Sequence, residues 1–171
     1  MNLFEALTKP YTWGMDGSGD HAVYTFTGSA LEDGSFPIYK VDFFAFPNGG
    51  SSGYAGSKEE KMDKVADKMD LPRSRDVIAL SERPHVGIIF KSIGEHGFGI
   101  DRTGFRDSIR VLATVVDIVK SYVEDSDYDL YAFTGHGKLG GVYARIIKML
   151  SRDYNLSVVR DGSTFFVKVK R

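Results

Sequence analysis

Phe105, Ile109, Leu112, Val116, Val119 and Val123 recur at alternating steps of four and three, the spacing that keeps side chains on one face of a helix. Val111, Val115, Ile118 and Tyr122 form a second apolar stripe beside the first. A helix apolar over so much of its circumference is packed between layers. Around this helix the chain from Gly97 to Arg171 reads as one continuous run. A glycine-rich turn leads in; the strand Tyr128 to Phe133 follows, then a second glycine-rich turn at Gly135, Gly137, Gly140 and Gly141. A helix lined by Leu139, Tyr143, Ile146 and Leu150 comes next, and the run closes on a hairpin of Leu156–Val159 with Thr164–Val169. Asp161-Gly162 supplies the positive φ that a tight hairpin turn needs. Lys168, Lys170 and Arg171 alternate as a solvated face.

The earlier half is less regular. Asn2 to Leu7 reads as a short helix ended by Lys9-Pro10, and the glycine and aspartate cluster Gly14 to Asp20 as a loop. Ala22 to Phe26 and Phe36 to Phe46 are aromatic and β-branched, hence strands, with Glu32-Asp33-Gly34 as the loop between them. In the second strand Ile38, Lys40 and Asp42 alternate imperfectly with Tyr39, Val41 and Phe43, so both faces are expected to be partly covered. Pro47 to Gly56 is rich in glycine and serine. Ser57 to Met69 reads as a helix capped by Ser57 and stopped before Pro72, and Val86 to Phe90 as a central strand. The expected fold is α+β: one domain, residues 1–171, with a mixed, mostly antiparallel sheet flanked by helices and an insertion at about 47–83.

The composition narrows the chemistry. With 171 residues, of which 42% are hydrophobic, the chain can bury a core without metal or disulfide staples. A formal net charge of -1 provides no long-range field for nucleic acid or an anionic membrane surface. There is no cysteine, which removes disulfides and thiolate chemistry. No apolar run approaches the length of about eighteen residues that spans a membrane. The expectation is a soluble cytoplasmic protein with no metal.

Two glycine turns carry the candidate ligand chemistry. Gly135-His136-Gly137-Lys138-Leu139-Gly140 matches G-x-G-x-x-G between a strand and a helix, but too little chain follows for a dinucleotide-binding sheet. Leu139 stands where a phosphate-binding P-loop places serine or threonine. These glycines serve a tight turn and close helix packing, or a simple anion site with Lys138. The turn from Gly97 to Gly104 places Arg102 and Arg106 at the start of the long helix, where cations oppose the helix dipole unless an anion lies between them; Asp101 and Asp107 are the alternative partners. Tyr143 lies on the inner stripe of its helix, as core packing or as a proton donor. His21, His85, His96 and His136 have no mutual spacing that suggests a metal site, and each is expected on the surface or in a loop.

An antiparallel meander, a glycine turn, a long helix, a strand, a helix with an inner tyrosine and a terminal hairpin together resemble the GNAT-type N-acetyltransferases, from about Ala22 to Arg171. The resemblance implies acetyl-coenzyme A as cofactor, with Gly99, Arg102, Gly104 and Arg106 in the turn that holds its pyrophosphate. It also implies Tyr143, in Val142-Tyr143-Ala144-Arg145, as the acid that protonates the leaving thiolate, and that the two strands flanking Gly135 splay apart to admit the cofactor. Asp42 and Glu95 are the carboxylates available as a base, and the acceptor is undetermined. The glycine of Arg102-Thr103-Gly104-Phe105-Arg106 comes one position earlier than in the family signature. The chain is also similar to small tailed-phage proteins that share an aromatic strand pair and helices like FRDSIRVLATVVDIVKSYV and VYARIIK. That second resemblance implies an alternative, a non-catalytic accessory protein in the host cytoplasm that uses the same scaffold, with Gly49 to Gly56, to bind a host or viral partner.

Overall fold

The computed structural model describes residues 9–18, 20–49, 80–93, 104–134, 139–161 and 164–171. The expected helices at Asn2–Leu7 and Ser57–Met69, and most of Pro47–Gly56, lie outside these residues. Seven strands are described: β1 (Trp13–Ser18), β2 (His21–Thr27), β3 (Ile38–Phe46), β4 (His85–Ile93), β5 (Leu130–Thr134), β6 (Asn155–Asp161) and β7 (Thr164–Lys170). Two helices are described with them, α1 (Gly104–Asp125) and α2 (Leu139–Leu150). The strands form one mixed, mostly antiparallel sheet in the order β1-β2-β3-β4-β5-β7-β6, the α+β class expected. β4 and β5 run parallel, paired over Val86–Ile88 and Tyr131–Phe133. Residue contacts group the chain into two compact units, residues 1–42 with 90–126 and residues 43–89 with 127–171.

In the first unit the alternation of β2 and β3 decides which side chains are enclosed. Tyr24 and Phe26 are buried on either side of the exposed Thr25, and Tyr39 and Val41 have no exposed surface. Their apolar surface is matched by α1, whose Val111, Leu112, Val115, Val116, Ile118, Val119 and Val123 are all buried; these belong to the two stripes read from the sequence, of which Ile109 and Tyr122 are half-buried. Burial, and then the Asp125 carboxylate, raise the Tyr24 phenol above its ordinary ionisation range.

The segment expected to be a loop, Gly14 to Asp20, instead contains most of β1, an antiparallel partner of β2 from Trp13↔Phe26 to Ser18↔His21. Cross-strand contacts outweigh the poor strand preference of its glycines. The Trp13 and Tyr24 rings meet edge-on with centroids 5.3 Å apart, and Trp13 Nε1 donates to Asp117 Oδ2 of α1 at 2.9 Å. A strand that lies at the sheet edge also tolerates glycine and aspartate better than a central one.

In the second unit β5 is buried on both faces, with Leu130, Tyr131, Ala132 and Phe133 each at most 3% exposed. Leu130 and Ala132 pack with Phe166 of β7. Phe133 faces the inner stripe of α2, where Val142, Tyr143, Ile146, Ile147 and Leu150 are buried. The terminal hairpin pairs Asp161 with Thr164, so the connection is one residue later than the expected turn centred on Asp161-Gly162. Along β7, Val167 and Val169 are buried while Lys168 and Lys170 are exposed, the alternation read from the sequence.

Two glycines at positive φ separate backbone preference from steric demand. Gly34 has φ of 82° in the β2–β3 loop, and a methyl group there would meet nothing. Gly49 has φ of 76°, and a methyl group there would run into the Glu82 carbonyl oxygen. Gly34→Ala should therefore cost about 1 kcal/mol, the left-handed penalty alone, and Gly49→Ala about 2 kcal/mol more because the two segments must separate. Urea denaturation of both variants measures the difference; equal losses would show that the Gly49 contact does not constrain the chain.

Candidate functional site

The pleat that buries Tyr39 and Val41 turns Lys40 and Asp42 to the other face of β3. His21 lies on the matching face of β2, since Tyr24 and Phe26 point the opposite way, and Lys91 follows the buried Phe90 on β4. These four side chains converge. His21 Nε2 lies 2.8 Å from Asp42 Oδ1, Lys40 Nζ lies 3.4 Å from the same oxygen, and Lys91 Nζ lies 3.6 Å from Oδ2.

Asp42 is the closed centre of this cluster, 2% exposed, while His21 is 46% and Lys91 51% exposed. A carboxylate removed from water requires compensating charge and hydrogen bonds; Oδ1 accepts from His21 and faces Lys40, and Oδ2 is paired with Lys91. The carboxylate accepts from His21 Nε2, which fixes the orientation of the ring. One buried anion with two lysines and a histidine gives the cluster a net positive charge. The arrangement can orient an imidazole, take up a proton and attract an anion. Asp42 was among the candidate bases in the sequence; His21 was not. The two are 21 positions apart and meet only through strand pairing.

The other site residues are placed as follows. Gly99, Arg102 and Glu95 lie outside the described residues. Gly104 is the first residue of α1, and Arg106 belongs to its first turn. Tyr143 has no exposed surface, and its ring lies 5.4 Å from that of Phe133 at 53°. Of the second glycine turn, Gly135 to Lys138 lie outside the described residues, whereas Gly140 and Gly141 sit in the first turn of α2.

His85, expected on the surface or in a loop, is instead fully buried at the start of β4. Its neutral ring behaves as an aromatic, stacked on Phe46 at 5.0 Å and edge-on to Phe166 at 5.9 Å. Nδ1 lies 2.7 Å from the Arg83 carbonyl oxygen. A carbonyl only accepts, so Nδ1 bears the proton and Nε2 keeps a lone pair that has no hydrogen-bond partner among the described residues. Burial lowers its pKa below the usual histidine value, and the Arg83 carbonyl opposes that shift in part.

Among the described residues no group of three or more histidine, cysteine, aspartate or glutamate side chains is gathered for a metal ion, and no helix is long and apolar enough to cross a membrane. Comparison with protein-family models, with curated proteins and with solved structures returned no match.

The lowered His85 pKa fixes a sign. The unfolded chain takes up a proton near pH 6.5, whereas the folded chain resists it until lower pH, so stability is full above that value and falls as the solution is acidified below it. His85→Phe keeps the ring contacts but cannot titrate. Thermal melts of both proteins between about pH 7.5 and 5.5 should show the wild type losing ground to the variant as pH falls; a constant difference would contradict a neutral buried ring.

Proposed function

We propose that this chain is an acyltransferase that takes the acyl group from acetyl-coenzyme A and passes it to a nucleophilic acceptor such as an amine. The observation that carries the reading is the succession of elements: an antiparallel meander through β3, then β4, the long helix α1, β5, α2 with Tyr143 on its inner face, and the β6–β7 hairpin. This is the order that the resemblance to GNAT-type acetyltransferases calls for.

The residues present suit the cofactor. Since α1 starts at Gly104, the first N–H groups of that helix have no intrahelical acceptor and are the donors a pyrophosphate needs, with Arg106 in the same turn and Gly99 and Arg102 in the segment that leads to it. Acetyl-coenzyme A would supply the acyl group as a thioester. In this reading the Tyr143 hydroxyl is the proton donor to the departing sulfur.

Titration calorimetry with acetyl-coenzyme A is the first test. Saturable heat with folded protein is expected, and its absence at millimolar cofactor would remove the reading. For turnover, the lack of cysteine in the chain lets a thiol-trapping dye report only the coenzyme A released when amine acceptors are supplied. Tyr143→Phe keeps the buried ring and should slow the reaction about tenfold or more; an unchanged rate would leave Tyr143 a packing residue.

A further inference from the structure

An open cleft of about 560 Å³ lies in the first unit beside the end of the β1–β2 pair, a volume typical of small-molecule sites. Its shape is built by the way residues 9–13 attach to α1. Arg110 Nε donates to the Lys9 carbonyl at 2.9 Å, the Tyr11 N–H donates to Thr114 Oγ1 at 2.8 Å, and Trp13 Nε1 donates to Asp117 Oδ2 at 2.9 Å. Alternate residues of an extended segment thus meet helix positions separated by one turn. The matching rises of strand and helix allow this.

The attachment fixes Tyr11 as a wall of the cleft. One side of its ring stacks on Phe26, with centroids 6.1 Å apart; the Arg110 guanidinium carbon lies over the ring, 3.9 Å from its centroid. The phenol oxygen and Ser29 Oγ share a hydrogen bond of 2.6 Å. Arg110 is therefore held by stacking and through Nε, which leaves its two terminal nitrogens as an end-on fork with no partner among the described residues. Thr12, Thr25 and Thr27, all exposed, also line the cleft, and Ile38, 42% exposed, offers an apolar floor.

We infer that this cleft binds a small organic carboxylate, with its two oxygens on the Arg110 fork and its apolar body against Ile38. Charge count selects the class. Arg110 is the one charged residue in the described lining, so a single negative charge is matched, whereas a phosphate dianion would be left half compensated in the cleft. The planar guanidinium also fits the planar carboxylate in two parallel hydrogen bonds. Threonine hydroxyls complete the oxygens' coordination. This site is independent of the acyl-transfer reading, because it uses none of the residues assigned there.

The test is titration of ¹⁵N-labelled protein with benzoate, benzamide and phenyl phosphate, followed by amide shifts. Benzoate should shift the Tyr11, Thr25 and Thr27 amides saturably in the millimolar range, and benzamide, its neutral analogue, should not. Arg110→Gln should abolish the effect. Since Arg110 also holds the Lys9 segment, Thr25→Val is the second variant: its exposed side chain lets the fold stand, and benzoate should bind it several-fold more weakly. Benzamide binding as well as benzoate, benzoate affinity unchanged in Thr25→Val, or no benzoate shift at all would overturn the proposal. Tighter binding of phenyl phosphate would overturn the carboxylate assignment.

Discussion

Four aromatic rings in a row organise the first unit. Tyr11 meets Phe26, Phe26 meets Tyr39 with centroids 5.1 Å apart, and Tyr39 meets Phe90 at 5.8 Å. The rings come from four different segments, so the row ties β2, β3 and β4 to the residues that precede β1. Each such pair adds about 0.5–1.5 kcal/mol beyond its buried area, but its larger effect is on register. A slip of one residue in β3 would expose Tyr39 and drive Lys40 into the apolar layer under α1, so only one alignment is compatible with the row.

The charged cluster follows from that alignment. Once Tyr39 and Phe90 face α1, Lys40, Asp42 and Lys91 must face away, and His21 of β2 falls within reach of them. Stability alone does not account for Asp42. Replacement of a buried ionic group by well-packed apolar residues is often neutral or favourable, and the half-exposed Lys91 adds little to stability as an ion-pair partner. What the cluster adds instead is a carboxylate closed to solvent that orients a histidine nearly half open to it.

What the sequence made legible was whatever repeats at short range. The two stripes of α1, the inner face of α2, the alternation of β3 and β7, and the β2–β3 loop at Gly34 are local patterns, and each lies where the spacing puts it. Three features were not legible, for three reasons. β1 is hidden because its glycines carry no strand signal, and its stability comes from rings on β2 and a carboxylate on α1. The His21–Asp42 pair is hidden because strand pairing, not spacing, brings the two together. His85 reads as polar by composition, yet with one nitrogen bonded to a carbonyl the rest of the ring packs as an aromatic. The residues of the implied pyrophosphate turn stand apart from these, since of them only Gly104 and Arg106 fall on a described element.

The polar side of α1 shows the same limit from the opposite direction. Arg110, Thr114 and Asp117 follow the four-and-three step of a helical face just as the valines do, but a polar row on a helix ordinarily faces solvent. Here it faces a chain segment. Thr114 is fully buried, and its hydroxyl both accepts from the Tyr11 N–H and donates to the Arg110 carbonyl at 2.7 Å. A threonine that bonds the carbonyl four residues back ordinarily costs a helix a little stability; here the same oxygen satisfies a backbone donor of the segment bound against the helix. The helix thus fixes the start of the aromatic row by hydrogen bonds on one stripe while it covers the row's apolar face with the others. Because α1 supplies both functions, the cleft at Arg110 and the apolar layer beneath it are parts of one construction.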